Sequence, residues 1–144
     1  MKISSRVDYA LSCALRIANA YTTGKPVTVK YISEKEQLAV DYVEQLLIVL
    51  KKAGILKSIR GALGGYILSR QPKEITAKEI VVAVEKDVLK LVCFREKGRK
   101  IKCVHMHDCK VRAFWLGLKD SMEKFLRKHT LKDLLYLRMK EKNW

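Results

Sequence analysis

The chain lacks any run near the roughly eighteen consecutive apolar residues that a membrane span requires. Its opening, MKISSRVDYALSCALRIANAY, has no uninterrupted apolar stretch, because Arg6 and Asp8 fall inside it, so no secretory signal is read there. The expectation is a cytoplasmic protein without membrane contact. Internal repeats and low-complexity tracts are also missing. Acidic residues are in short supply: 15 Asp and Glu face 30 Lys and Arg, a formal net charge of +15 over 144 residues. That imbalance favours a polyanionic partner, nucleic acid ahead of a membrane surface. Cysteines number four, and in a reducing compartment clustered thiols serve metals or redox chemistry more often than structural disulfides.

What the chain does have is apolar content of 49%, ample for one compact domain with room for an appended dimerisation element. Over residues 4–21, Val7, Ala10, Leu11, Ala14, Leu15, Ala18 and Tyr21 recur at helical spacing, with Ser4 or Ser5 available as cap. A turn at Thr22-Thr23-Gly24-Lys25-Pro26 follows, then a short helix over 28–36 with Val29 and Ile32 facing inward. Gln37-Leu38-Ala39 is a tight connection to a further helix over 41–53, whose apolar face is Val43, Leu46, Leu47 and Leu50 and which stops at Gly54. The segment ILKSIRGALGGYILSRQP predicts two short strands around a glycine-rich tip. Helix, turn, helix and then hairpin is the order of a winged helix. Beyond it, Thr76-Ala77-Lys78-Glu79 has the form of a capping box and opens another helix. Residues 110–128 return to helical periodicity, and Thr130 caps a last short helix. The predicted fold class is mainly α with a small β-hairpin.

In such a fold the exposed residues near the start of the second helix of the motif meet base edges or backbone in the major groove, which here selects Asp41, Tyr42, Glu44 and Gln45. Carboxylates repel phosphate, so a solvated helix face is the competing reading, although Glu can accept from a cytosine amino group. Arg60, at the base of the hairpin tip, is placed to reach phosphate or a narrow minor groove, with Lys57 and Arg70 nearby. Ordinary solubilising charge is the alternative for these three.

The start MKISSRVDYAL, the segment DYVEQLLIVLKKAGILKSIRG followed by GGYILSR, and the opening EITAKEIVVAVE resemble, in order and spacing, the IscR/NsrR-type winged-helix transcription regulators over nearly the whole chain. The resemblance implies a homodimer paired through its long C-terminal helices, which presents two winged helices to a roughly palindromic double-stranded operator. Glu44 and Gln45 match the recognition-helix pair by position, and Arg60 the wing arginine. Where the family usually has Pro and a further Gly at the wing tip, this chain has Ala62 and Leu63, which allows an apolar contact in place of a close backbone approach. The organisation implied is a DNA-binding domain over 1–88, a cysteine-bearing loop over 89–109, and a dimerisation helix with a short C-terminal helix over 110–144.

Three of the four cysteines, Cys93, Cys103 and Cys109, crowd into one basic segment that also carries His105 and His107. Many family members bear three cysteines at this place, ligating an iron–sulfur cluster that changes DNA affinity, and thiolates are the soft ligands such clusters need. Arg95, Lys97, Arg99, Lys100 and Lys102 would partly offset an anionic cluster. Nine residues separate Cys93 from Cys103, more than is usual in the family, while the five before Cys109 are usual. Arg112 stands where the IscR-like branch has a ligating His. The fourth ligand is therefore sought at Asp8, which matches the cross-dimer carboxylate of the NsrR-like branch, with His105 and His107 as alternatives. Cluster type, [4Fe-4S] or [2Fe-2S], stays open. Zinc through Cys and His is the next reading, a metal-free regulator the one after it. Cys13 reads as a buried small hydrophobe. A thiol enzyme built on CVHMHDC has little support, since nothing suggests a substrate pocket.

Overall fold

A computed structural model describes residues 3–85 and 108–137. Along the chain come α1 (Ser5–Asn19), α2 (Val29–Glu36), α3 (Val40–Lys52), β1 (Leu56–Ile59), β2 (Gly65–Leu68), α4 (Ala77–Val84), α5 (Lys110–Lys128) and α6 (Leu131–Tyr136). Local chemistry sets most of the boundaries. The Ser4 hydroxyl accepts from the Val7 amide at 3.4 Å, and Thr28 accepts from Tyr31 at 3.1 Å. Thr76 with Glu79 and Thr130 with Asp133 form reciprocal capping boxes, which satisfy amide donors that the helix itself leaves open.

Helix α1 stops at Asn19, short of the expected Tyr21, because the chain tightens into a 3-10 turn over Tyr21–Thr23 and reverses at Gly24, where φ is +65°. Its buried face is Val7, Ala10, Cys13, Ala14, Ile17 and Ala18. Cys13 and Ile17 thus replace Leu11, Leu15 and Tyr21 at the centre of the expected stripe, and Tyr21 is exposed. The core collects that face with Ile32 of α2, Val43, Leu46, Leu47 and Leu50 of α3, Ile55, Leu56 and Leu68 at the hairpin, Ile75, and Ile80 of α4. The strands pair antiparallel with Leu56 opposite Leu68 and Ile59 opposite Gly65. A third short pairing joins Val27 to Tyr66. A side chain at position 65 would bring Cβ to 2.5 Å from the Val27 carbonyl oxygen, so glycine there lets the chains approach.

The short C-terminal helix, grouped in sequence with residues 110–144, packs back on the N-terminal core. Leu131 is fully buried in it, the Ala77 amide donates to the His129 carbonyl at 2.8 Å, and the Leu131 amide donates to the Ile75 carbonyl at 2.9 Å. Between α4 and α5, Lys78 Nζ lies 2.8 Å from Glu123 Oε2.

The turn between α2 and α3 is fixed by two features. Ser33, buried in α2, donates its hydroxyl to the Leu38 carbonyl at 2.5 Å, and Gln37 takes a left-handed conformation with φ of +54°. Only glycine occupies that region without a side-chain penalty. Gln37 is exposed, so Gln37→Gly is expected to raise stability by up to about 1 kcal/mol, relief of strain outweighing the added unfolded-state entropy. A urea midpoint that rises at unchanged m-value checks this.

Candidate nucleic-acid interface

Burial of Val43, Leu46, Leu47 and Leu50 leaves α3 one face to solvent, and that face carries Asp41, Glu44, Gln45 and Ile48, all exposed. Alternation of buried and free positions at 3.6 residues per turn forces this arrangement once the core side is chosen. No side chain caps the start of α3, where Ala39 is the N-cap residue, so its first amides have no side-chain acceptor. Tyr42 belongs partly to the interior: half-buried, it sets its ring edge-on to Tyr9 at 6.0 Å between centroids. Ile48, 37% exposed on the same face as Glu44, was not singled out from sequence, because an apolar residue in an apolar helix gives no sign of which side it takes.

The hairpin stands beside this helix. Lys51 Nζ of α3 contacts Ser58 Oγ of β1 at 2.7 Å. Burial pushes the Tyr66 phenol up, and the negative charge of Glu44 adds to the shift. Lys57 and Arg60 are both exposed. Arg60 leads directly into the tip, where φ of Gly61 is +114° and the Gly64 amide donates to the Gly61 carbonyl at 2.9 Å.

Arg70 is engaged elsewhere. Its Nη2 lies 2.6 Å from Glu79 Oε1 and its Nη1 donates to the Glu74 carbonyl at 3.2 Å, which ties the end of the hairpin to the first turn of α4. Burial raises the Glu79 carboxyl, but the Thr76 amide, the Arg70 guanidinium and the Thr76 hydroxyl outweigh it and hold the group below its ordinary range. The sequence shows Arg70 next to the wing; only the packing shows that a carboxylate nine residues on receives it.

Of the expected metal ligands, Cys93, Cys103, His105 and His107 lie outside the described residues. Cys109 is the N-cap of α5, a free, half-exposed thiol whose sulfur accepts from the Arg112 amide at 3.4 Å. A sulfur at a helix N-terminus suits an anionic ligand, since the terminal amides and the dipole favour negative charge there. Beside it the Arg112 Nε is buried with no hydrogen-bond partner. Asp8 is exposed in the first turn of α1. Among the described residues no three Cys, His, Asp or Glu side chains converge on a common point. Cys13 is fully buried, and burial first, then the charge of Glu36, push its thiol up to about 12.

Helix α5 buries none of its residues fully, and Val111, Phe114, Leu116 and Phe125 stand exposed along it. Among the described residues no helix is long and apolar enough to cross a membrane.

Comparison with known proteins agrees with this architecture. Residues 3–136 match the Rrf2 family model, described as an iron-dependent transcriptional regulator. The chain is 32% identical over 134 residues to the HTH-type transcriptional regulator CymR of Bacillus subtilis, covering 93% of this chain and 89% of that protein. It is 33% identical over 135 residues to the HTH-type transcriptional regulator IscR of Photorhabdus laumondii, covering 94% and 79%. Among solved structures, B. subtilis CymR, titled the global cysteine regulator, superposes with a TM-score of 0.76 at 30% identity, covering 96% of this chain and 99% of that one. T. potens IscR does so with a TM-score of 0.73 at 32% identity, covering 94% and 86%. These relatives are named regulators of transcription, not enzymes. The chain belongs to the Rrf2 family of winged-helix transcriptional regulators.

Proposed function

We propose that the protein acts in the cytoplasm as a homodimer on a roughly palindromic operator, and that an iron–sulfur cluster sets its affinity. What supports the DNA part is that Glu44 and Gln45 of α3 and Lys57 and Arg60 of the wing are all exposed, on elements joined by the Lys51–Ser58 contact. Glu44, Gln45 and Asp41 face the major groove; Arg60 and Lys57 reach phosphate and the neighbouring minor groove. Tyr42 orients α3 through Tyr9, and Arg70 braces the wing against α4 while adding positive field. Val111, Phe114 and Phe125, exposed on one side of α5, support pairing with a second copy, since an exposed apolar row marks an association surface. Residues 1–88, joined in space by α6, form the DNA-binding unit; 89–109 form the ligand segment, and α5 the dimerisation helix.

Cys93, Cys103 and Cys109 supply the sulfur ligands in this reading, with Asp8 of the second subunit ahead of His105 and His107 as the fourth. When bound, the cluster supplies a centre responsive to iron supply, redox state or nitric oxide. The basic surroundings and the Arg112 guanidinium offset its charge. Similarity to CymR, the global cysteine regulator of B. subtilis, favours a metal-free regulator as the second reading. An absorption spectrum with iron and sulfide counts after anaerobic purification separates the two: a coloured protein with matched iron and sulfide supports the cluster, and a colourless one without iron overturns it.

Selection from random duplexes is expected to return a palindromic motif, and affinity for it should fall roughly a thousandfold between about 50 and 200 mM salt if some six phosphates are neutralised. No enriched motif in either the loaded or the metal-free form would sink the DNA reading.

A further inference from the structure

Leu63 is 90% exposed, the most exposed of the large apolar side chains among the described residues. One exposed leucine on a protein surface is ordinary. The position of this one is not. It occupies the third place of the four-residue turn Gly61-Ala62-Leu63-Gly64, which the Gly64 amide closes on the Gly61 carbonyl at 2.9 Å. The turn is folded tightly on its own stem: a Cβ at position 64 would lie 2.3 Å from the Ile59 carbonyl oxygen and 2.8 Å from that of Gly61. Leu63 itself keeps a negative φ, since Gln37 is the only described non-glycine residue with a positive one. The side chain therefore projects from the extremity of a closed hairpin. Ile59, 42% exposed, and Arg60 stand at its foot.

The charge around the tip points to the kind of surface it meets. From Gln45 to Lys73 the chain contains six cations, Lys51, Lys52, Lys57, Arg60, Arg70 and Lys73, and no carboxylate. An apolar tip with Lys57 and Arg60 exposed in its stem matches nucleic acid, whose phosphates attract the cations while its stacked bases offer the apolar surface. Proteins that enter the minor groove combine arginine with an apolar wedge such as Leu, Ile or Phe, which separates a base step in part and bends the duplex. The wing is well placed for this: its stem is joined to α3 by the Lys51–Ser58 contact, so with α3 in the major groove the tip extends toward the adjacent minor groove, about 6 Å wide, where the end of a tight turn fits.

We infer that Leu63 is a specificity-determining residue that wedges into the minor groove flanking each half-site, so that the wing selects readily unstacked steps there. This rests on the DNA-binding reading above. Pyrimidine–purine steps, TA and CA/TG, deform at least cost, and a wedge rewards them without any hydrogen bond to a base.

The test uses the full chain and the operator that selection returns, with 2-aminopurine placed at the flanking step. The wild type is expected to enrich TA or CA/TG at a fixed distance outside the half-site and to raise 2-aminopurine fluorescence on binding. Leu63→Ala should bind that operator about tenfold more weakly, the scale of losing the burial of most of a leucine side chain. It should also lose the flank preference and the fluorescence rise, and Leu63→Met should restore both. Unchanged melting temperature is expected for each variant, as the side chain touches no core. An operator bound with identical flank preference and fluorescence by the wild type and Leu63→Ala would overturn the wedge while leaving the DNA reading in place. A change in oligomeric state with DNA binding unaltered would assign Leu63 to a protein contact instead. Absence of any enriched operator for the wild type would remove the wedge and the DNA reading together.

Discussion

Arg60→Ala is expected to weaken operator binding by roughly ten- to a hundredfold, corresponding to about 1–3 kcal/mol for a guanidinium seated on DNA. The side chain is exposed and enters none of the ion pairs found among the described residues, so its removal leaves the fold intact. The loss is therefore assigned to the interface. A phosphate contact would lower affinity across all sequences and reduce the salt slope by about one unit. Glu44→Ala should behave oppositely, changing the preferred base in the half-site more than the overall affinity. It removes a carboxylate that repels phosphate but accepts from a cytosine amino group. Titrations at several salt concentrations on matched and mismatched duplexes read both effects. Equal affinity and slope for Arg60→Ala and the wild type would place the wing off the DNA.

The second large effect is expected at the cysteines. Ser variants at positions 93, 103 and 109 should each lower iron and sulfide content after anaerobic reconstitution by at least about tenfold, because each removes a covalent ligand. Cys13→Ser should leave loading unchanged. In the native fold at pH 8 the Cys13 thiol should resist alkylation, being fully buried and pushed up to about 12. Asp8→Ala should alter the spectrum or stability of the chromophore and narrow the ratio of loaded to metal-free operator affinity. Linkage requires that narrowing: a ligand coupled to DNA binding must interact differently with the two states. Normal loading in all three cysteine variants would refute the ligand set. An effect at His105 or His107 with none at Asp8 would transfer the fourth position to histidine.

Much of this architecture is written in short-range patterns. The capping boxes at Thr76 and Thr130, the caps at Ser4 and Thr28, and the glycines around the hairpin tip act over three or four residues, so the starts of α1, α2, α4 and α6 follow from neighbours in the chain. The order of these pieces also carried the resemblance to IscR/NsrR-type regulators, and the family match bears it out. The ligand segment is different. Its cysteines are plain in the sequence, yet their joint geometry depends on chain paths that local spacing does not determine.

By itself, then, the sequence determined the winged-helix order, the family and the basic character of the chain, because periodicity, capping and charge are local or additive properties. Tertiary structure alone decided which sides those elements show. Packing against α4 and α6 turned Ile17 of α1 inward and left Tyr21 out, while Cys13 is buried as its place in the sequence implied. The Tyr9 ring drew Tyr42 partly into the interior, Glu79 received Arg70, and Leu131 brought the last helix back to the first domain. Each of these outcomes depends on a partner far along the chain or on a choice between two helix faces of similar apolarity. Such a choice is made by the free energy of the whole packed core, to which no short stretch of sequence has access.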